Sequence, residues 1–157
     1  MENALIKILG KMTYGIYILT TAYKEEVNGM VASWVSQVSY DPPLVMVAIH
    51  PNRYSHHLIA HSGSFALHLL DRNQTHLIEH FKGLDPVKKF ASTPWLRGKT
   101  GVPVLKSCLA YMECEVKDSY SPGNHTLFIG EITDAQAFSE GQPLSTFDYS
   151  GVYLGKD

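Results

Sequence analysis

The sequence predicts a mainly β protein: an antiparallel, Greek-key-like barrel with a few short helices. Six or seven segments are rich in β-branched and aromatic residues, and turn-forming Pro, Gly and Asn separate them. The few helix-like segments do not alternate regularly with these strands, which argues against a doubly wound parallel sheet. No repeat or linker divides the 157 residues, so we expect a single domain over 1–157.

The first half of the chain is expected to contain one helix and a β-hairpin. Apolar residues at helical spacing predict a short helix over 2–10. A strand follows over 15–23, and Asn28-Gly29 predicts the hairpin turn because both turn positions favour positive φ. The chain is then expected to return as one strand over 30–39, which a Pro-Pro pair ends.

A continuous apolar run over 44–49 predicts a strand that is buried on both faces. A helix is expected to begin at Ser55, with this serine as its N-cap, and to reach His61. The remaining predicted elements are a strand over 64–70, helices over 73–81 and near 88–90, strands over 110–116 and 126–132 around a turn at 121–125, and a weak strand over 149–154.

Composition and charge exclude several classes of function. The chain has 13 Lys and Arg against 15 Asp and Glu, with no basic block, which predicts no nucleic-acid binding. No apolar run approaches the length of a membrane helix, and the N-terminus lacks signal-peptide features, so a cytoplasmic protein is expected. Cys108 and Cys114 are too far apart along an extended strand for a disulfide, and we expect two core cysteines.

Common catalytic and nucleotide-binding motifs are absent. The sequence contains no G-x-G-x-x-G after a strand, no P-loop, no H-E-x-x-H and no G-x-S-x-G. His57 and His61 would share a helix face and could form a zinc pair, but no third ligand is evident. We therefore favour solvated or hydrogen-bonded histidines and no metal site.

The segment over 30–39 mixes apolar, aromatic and small polar residues. A flat heteroaromatic ligand needs this mixture, with apolar surface for its faces and hydrogen-bonding groups for its edge. A half-exposed strand with one face in water explains the same pattern. Arg53 and Ser55, near a helix start, suggest a phosphate site, to which Lys88, Lys89 and Phe90 could add a second cation and an aromatic wall. Solvated surface cations are the alternative.

Several linked segments resemble the flavin reductase-like family of FMN-binding split barrels. They lie in the expected order over nearly the whole chain, at 15–21 (GIYILTT), 29–45 (GMVASWVSQVSYDPPLV), 62–70 (SGSFALHLL), 109–116 (LAYMECEV) and 127–132 (LFIGEI). The resemblance implies a homodimer with FMN in a groove near the subunit interface. The implied FMN-contacting residues are Met30, Val31, Ala32, Ser33, Trp34, Ser36, Gln37, Val38, Ser39, Arg53, Ser55, Lys89 and Phe90.

Within the family, the sequence is most similar to reductase domains associated with rubredoxin and flavodiiron proteins. This similarity implies electron transfer from NAD(P)H through FMN to rubredoxin, another iron protein, free flavin or oxygen. With two cysteines the chain has no four-cysteine iron site of its own, so a rubredoxin acceptor would be a separate protein or lie outside this chain. An FMN electron carrier without a nicotinamide site and a non-enzymatic FMN-binding module are the alternatives.

One motif departs from the family pattern. Many related reductases carry Gly-Asp-His at a turn near the nicotinamide, where this chain has Gly123-Asn124-His125. The retained histidine makes His125 the candidate catalytic residue on the nicotinamide side. The missing carboxylate places nicotinamide use in question.

Overall fold

The computed structural model describes residues 1–83, 85–151 and 153–156. In chain order the elements are α1 (Glu2–Leu9), β1 (Tyr17–Tyr23), β2 (Glu26–Ala32), β3 (Val35–Ser39), β4 (Leu44–Ile49), α2 (Tyr54–Ser62), β5 (Ser64–Leu69), α3 (Thr75–Phe81), α4 (Pro86–Ala91), β6 (Trp95–Arg97), β7 (Pro103–Leu105), β8 (Ala110–Tyr120) and β9 (Thr126–Ala137).

Seven strands form one antiparallel sheet in the order β2-β1-β5-β8-β9-β4-β3. Strands β2 and β3 are consecutive in the chain but lie at opposite edges of the sheet. Only Ser33 and Trp34 connect them, so the sheet must curl until its two edges approach each other. The Ala48 amide donates to the Trp34 carbonyl at 3.0 Å at this link. The expected antiparallel barrel with short helices is confirmed.

The hairpin turn between β1 and β2 lies earlier than predicted. Tyr23 pairs with Glu26, so Lys24 and Glu25 form the turn, and Lys24 has the positive φ of 55°. Gly29 instead pairs with Thr20 inside β2. The Asn28-Gly29 prediction is therefore wrong, because the Asn28 side chain is used in buried hydrogen bonds rather than in a turn.

Two other strand predictions need correction. The expected single strand over 30–39 is two strands, because the chain leaves one sheet edge at Ser33 and joins the other after Trp34. Strand β4 is not buried on both faces: buried residues alternate with half-buried ones along it. The two-stranded ribbon of β6 and β7 was not predicted.

The expected N-cap of α2 is also wrong. Arg53 occupies that position without a side-chain capping bond, and Ser55 is buried inside the helix. The weak strand predicted over 149–154 is absent from the described residues of that segment, and Val152 lies outside them. The tail is instead tied to the barrel by isolated bridges at Pro143 and Ser145.

Apolar side chains pack in two clusters that hold the barrel and helices together. One cluster includes Leu19, Val47 and Phe65 from the sheet. The other joins Ile18 of β1 to Phe81 of α3 and to α4. Cys108 and Cys114 are buried and unpaired, as expected, and burial raises the pKa of these thiols to about 11 and about 12. No helix among the described residues is long and apolar enough to cross a membrane.

Candidate functional site

A cavity of about 650 Å³ opens where the β2–β3 link, the start of α2 and the C-terminal tail meet. Its volume lies within the usual range for small-molecule sites. Met30, Ala32, Trp34 and Ile49 provide apolar surface, and Ser33 adds a hydroxyl beside them. The predicted contact residues that line this cavity are Met30, Val31, Ala32, Ser33, Trp34, Arg53, Ser55 and Lys89.

The other predicted contact residues lie outside the cavity. Ser36, Gln37, Val38 and Ser39 belong to edge strand β3, where the first three are exposed and the last is half-buried. Phe90 lies behind the cavity wall, with its ring 5.7 Å from that of Phe81. The position of these residues outside the cavity therefore does not support their predicted contacts with FMN.

A buried polar network forms one part of the wall. The Lys89 ammonium donates to the Asn28 side-chain oxygen at 3.1 Å and to the Gly29 carbonyl at 2.8 Å. The Asn28 amide donates in turn to the Ser55 hydroxyl at 2.9 Å. Lys89 is only 5% exposed, and Asn28 and Ser55 are also buried. This network fixes the lysine in the wall of the cavity.

Two cations lie near each other in this part of the site. Burial, and then the positive charge of Arg53, lower the pKa of Lys89. An anion bound near both groups would relieve their repulsion. Helix α2 begins in this part of the cavity, where Arg53 and Tyr54 line the wall. The first backbone N–H groups of a helix have no intrahelical acceptors and lie at the positive end of its dipole. This arrangement can hold a phosphate group.

Aromatic rings gather in another part of the cavity. The Trp34 ring centroid lies 4.6 Å from that of His125 and 5.2 Å from that of Tyr153. The His50 ring meets His125 edge-on at 5.2 Å. Within the described part of the chain, the Trp34 indole nitrogen is buried and has no hydrogen-bond partner. A flat ligand would find both stacking surface and a donor here.

Polar contacts with Asn124 and Tyr153 orient the His125 ring. Its Nδ1 lies 2.7 Å from the Asn124 side-chain oxygen, which makes Nδ1 the protonated nitrogen. Its Nε2 lies 2.8 Å from the Tyr153 hydroxyl. His125 does not itself line the cavity but packs behind Trp34. A rearrangement of Tyr153 would be needed for Nε2 to meet a ligand.

Sequence reasoning missed several residues of this site. They are Asn28, His50, Lys82, Tyr149 and Tyr153. His50 follows the buried strand β4 and could have been found as a polar residue at a strand end. The tail residues carry no comparable signal, because nothing in their local pattern says where the tail packs.

His57 and His61 of α2 belong to no metal-ligand cluster among the described residues. His61 Nδ1 donates to the His57 carbonyl at 2.8 Å, which is a contact within the helix. Among the residues that the structure describes, no group of three or more His, Cys, Asp or Glu side chains could hold a metal ion.

Comparison with known protein families matches residues 9–153 to the flavin reductase like domain. The chain belongs to this family. Its relatives are named as flavin, FMN and ferric-chelate reductases, which agrees with the expected oxidoreductase function. An NADH-dependent flavin reductase of Rhodococcus sp. is 34% identical, over 96% of this chain and 87% of that protein.

Two further relatives extend the comparison. The high molecular weight rubredoxin of Moorella thermoacetica is 33% identical over 95% of this flavin reductase-like chain, which spans 67% of that protein. An NADH:FAD oxidoreductase of Streptomyces globisporus C-1027 has a similar structure, with a TM-score of 0.85 and 27% identity. The alignment covers 92% of this chain and 87% of that one.

Proposed function

We propose that the chain is an FMN-dependent oxidoreductase that takes electrons from NAD(P)H and passes them to rubredoxin, free flavin or oxygen. The observation that carries the proposal is the cavity, in which apolar and aromatic surface adjoins one cationic region. FMN has the matching parts: a flat ring, a polar ribityl chain and a single phosphate. The names of the flavin reductase and rubredoxin relatives support the donor and acceptor classes.

In this proposal the cationic region holds the phosphate. Lys89 and Arg53 supply positive charge, and the first N–H groups of α2 supply donors. The Ser55 hydroxyl supports this region through Asn28, which it holds in place for Lys89. Because Lys89 is buried and already oriented, little side-chain entropy is lost when it binds an anion.

Residues Met30–Trp34 contact the ring and the ribityl chain. Met30, Ala32 and Trp34 exclude water from the ring, and Ser33 with nearby backbone groups satisfies its polar edge. The chemistry that FMN supplies when bound is two-electron uptake from a reduced nicotinamide and release of the electrons singly or in pairs. Once Tyr153 has moved away from its Nε2, His125 orients the nicotinamide amide or holds a proton there.

We also propose that the chain acts as a homodimer, as one domain and in the cytoplasm. Helix α1 supports the dimer, because none of its residues is buried and Leu5, Ile8 and Leu9 are exposed. The single sheet of β1–β5, β8 and β9 supports one domain. Cys108 and Cys114 are free, which suits a reducing compartment. A monomeric mass in sedimentation equilibrium would exclude the dimer.

Paired titrations with FMN and riboflavin test the assignment of the cofactor. Riboflavin has the same ring and ribityl chain but lacks the phosphate. We expect FMN to bind at least about 10-fold more tightly, since charge-assisted hydrogen bonds contribute about 1.5–3 kcal/mol. Equal affinities would contradict the phosphate site, and tighter binding of FAD than of FMN would assign the cavity to the larger flavin.

A further inference from the structure

Residues 153–156, which we call the C-terminal strap, lie against the aromatic part of the cavity. Tyr153 lines the cavity, with its ring centroid 5.2 Å from that of Trp34 and 5.8 Å from that of His125. Gly155 lies so close to the indole that a Cβ atom there would be 2.5 Å from Trp34 Cη2. The strap therefore covers the face where Trp34 and His125 meet.

Side chains of one turn hold the strap in this position. The Asn124 amide donates to the Gly155 carbonyl at 3.0 Å, and the Tyr153 hydroxyl meets His125 Nε2 at 2.8 Å. Beyond Asp148, no backbone hydrogen bond between described residues ties the tail to the barrel. The Lys156 ammonium, at the end of the strap, also lies 3.5 Å from Glu2 Oε1 of α1.

Asn124 has a role here that an aspartate could not fill. Its side-chain oxygen accepts from His125 Nδ1, while its NH₂ group donates to Gly155. A carboxylate could accept from His125 but could not donate to a carbonyl. The residue that departs from the Gly-Asp-His pattern is therefore the one that closes the strap.

A buried donor without a partner belongs to the ring against which the strap packs. The Trp34 indole nitrogen has no partner among the described residues, and Gly155 packs beside this ring. A buried N–H without an acceptor disfavours the arrangement that buries it.

We propose that the strap is a gate for the second substrate and that Asn124 holds it closed. The Tyr153 ring takes the place beside Trp34 and His125 that a nicotinamide ring needs, so the strap must open before NAD(P)H can bind. This inference rests on the proposed function. Only the open fraction of the protein can bind the nicotinamide. The apparent dissociation constant is therefore the intrinsic one divided by the open fraction.

Titration of the FMN-loaded protein with NAD⁺ and NADP⁺, which cannot reduce the flavin, measures this gating directly. We expect Tyr153→Ala and Asn124→Asp to lower the dissociation constant of the preferred nucleotide by roughly 3- to 10-fold. Phe147→Ala, an exposed substitution in the same tail, should leave it unchanged. An unchanged or higher dissociation constant in Tyr153→Ala, with a preserved thermal midpoint, would overturn the gate.

Amide hydrogen exchange in the flavin-free chain tests the closure without any cofactor. We expect exchange at residues 153–156 to be faster in Asn124→Asp than in the wild type, with unchanged exchange in β1 and β5. Equal exchange at the strap would overturn the role of Asn124. If NAD(P)H does not reduce FMN bound to the wild type, but Tyr153→Ala binds the nucleotide, the gate stands and the proposed activity of the wild type fails. If neither protein binds a nucleotide, the gate is overturned.

Discussion

At the scale of single residues, Lys89 is the side chain on which the phosphate site most depends. We expect Lys89→Met to weaken FMN binding by about 2 kcal/mol, or roughly 30-fold, because a buried charge-assisted contact is lost. Riboflavin binding should not change, since riboflavin has no phosphate. Lys88→Met, on the exposed face of the same helix, is the matched control. Equal losses for FMN and riboflavin would mean that Lys89 only stabilises the fold.

Trp34 is the corresponding residue for the flavin ring. Truncation removes a large aromatic surface that lines the cavity, so we expect Trp34→Ala to weaken FMN binding by about 2 kcal/mol. Trp34→Phe should retain part of the affinity, because an aromatic face remains. Flavin fluorescence titration measures both variants. An affinity equal to that of the wild type in Trp34→Ala would remove this residue from the site.

The residues of the site differ in how well the sequence could predict them. Met30–Trp34, Arg53, Ser55 and Lys89, which were predicted to contact FMN, line the cavity, and their contact with FMN stays a prediction. Ser36–Ser39 have equally suitable side chains, but β3 lies at the other sheet edge. Composition alone cannot reveal that the chain changes edges between these two groups.

At the scale of secondary structure elements, Gly29 determines how closely β2 and α3 can approach. A Cβ atom at Gly29 would lie 2.6 Å from Phe81 Cε1, and Phe81 is fully buried. We expect Gly29→Ala to destabilise the protein by about 1–3 kcal/mol through overpacking. Gly123→Ala, where a Cβ atom meets nothing within 4 Å, is the control. Equal thermal midpoints of Gly29→Ala and the wild type would contradict this packing role.

The positions of the strands were predictable, because the pattern of apolar and β-branched residues reflects burial. The turn between β1 and β2 and the break between β2 and β3 were not predictable from this pattern. Asn28-Gly29 has the composition of a hairpin turn, yet Asn28 is needed for Lys89 and Gly29 for the contact with Phe81. Trp34 is a good strand former, so its local propensity hides the break at Ser33–Trp34 that barrel closure requires.

At the scale of the whole molecule, His68 links three strands and makes stability depend on pH. Its Nδ1 donates to the Ile18 carbonyl of β1, and its Nε2 accepts from the Leu105 amide of β7, both at 3.0 Å. Burial lowers the pKa of His68 to about 4 in the folded state, against about 6.5 when unfolded. A protonated Nε2 could no longer accept this hydrogen bond.

Between these two pKa values the unfolded chain binds more protons than the folded one. The contribution of His68 is therefore complete above pH 6.5 and falls as the pH decreases towards 4. We expect the free energy of unfolding to fall by about 2 kcal/mol between pH 7.5 and 5 from this group, as measured by urea unfolding. The fall should be smaller in His68→Gln and unchanged in exposed His76→Gln. Equal pH dependence in all three proteins would contradict this account.

The position of the tail is the whole-molecule feature that the sequence could least predict. Residues 143–156 form no extended strand among the described positions, and their contacts reach Tyr14, Asp71 and Asn124 at distant points of the chain. No local pattern encodes such contacts. The barrel itself was predictable because its strands carry repeated and mutually consistent signals.

Anaerobic mixing of the FMN-loaded protein with NADH, and then with NADPH, tests the central claim most directly. The visible flavin absorbance reports the redox state of the bound cofactor. We predict rapid bleaching with at least one of the two nucleotides, which would also identify the donor. An absorbance band that persists with both would contradict a nicotinamide-dependent reductase and would favour a carrier reduced by another protein.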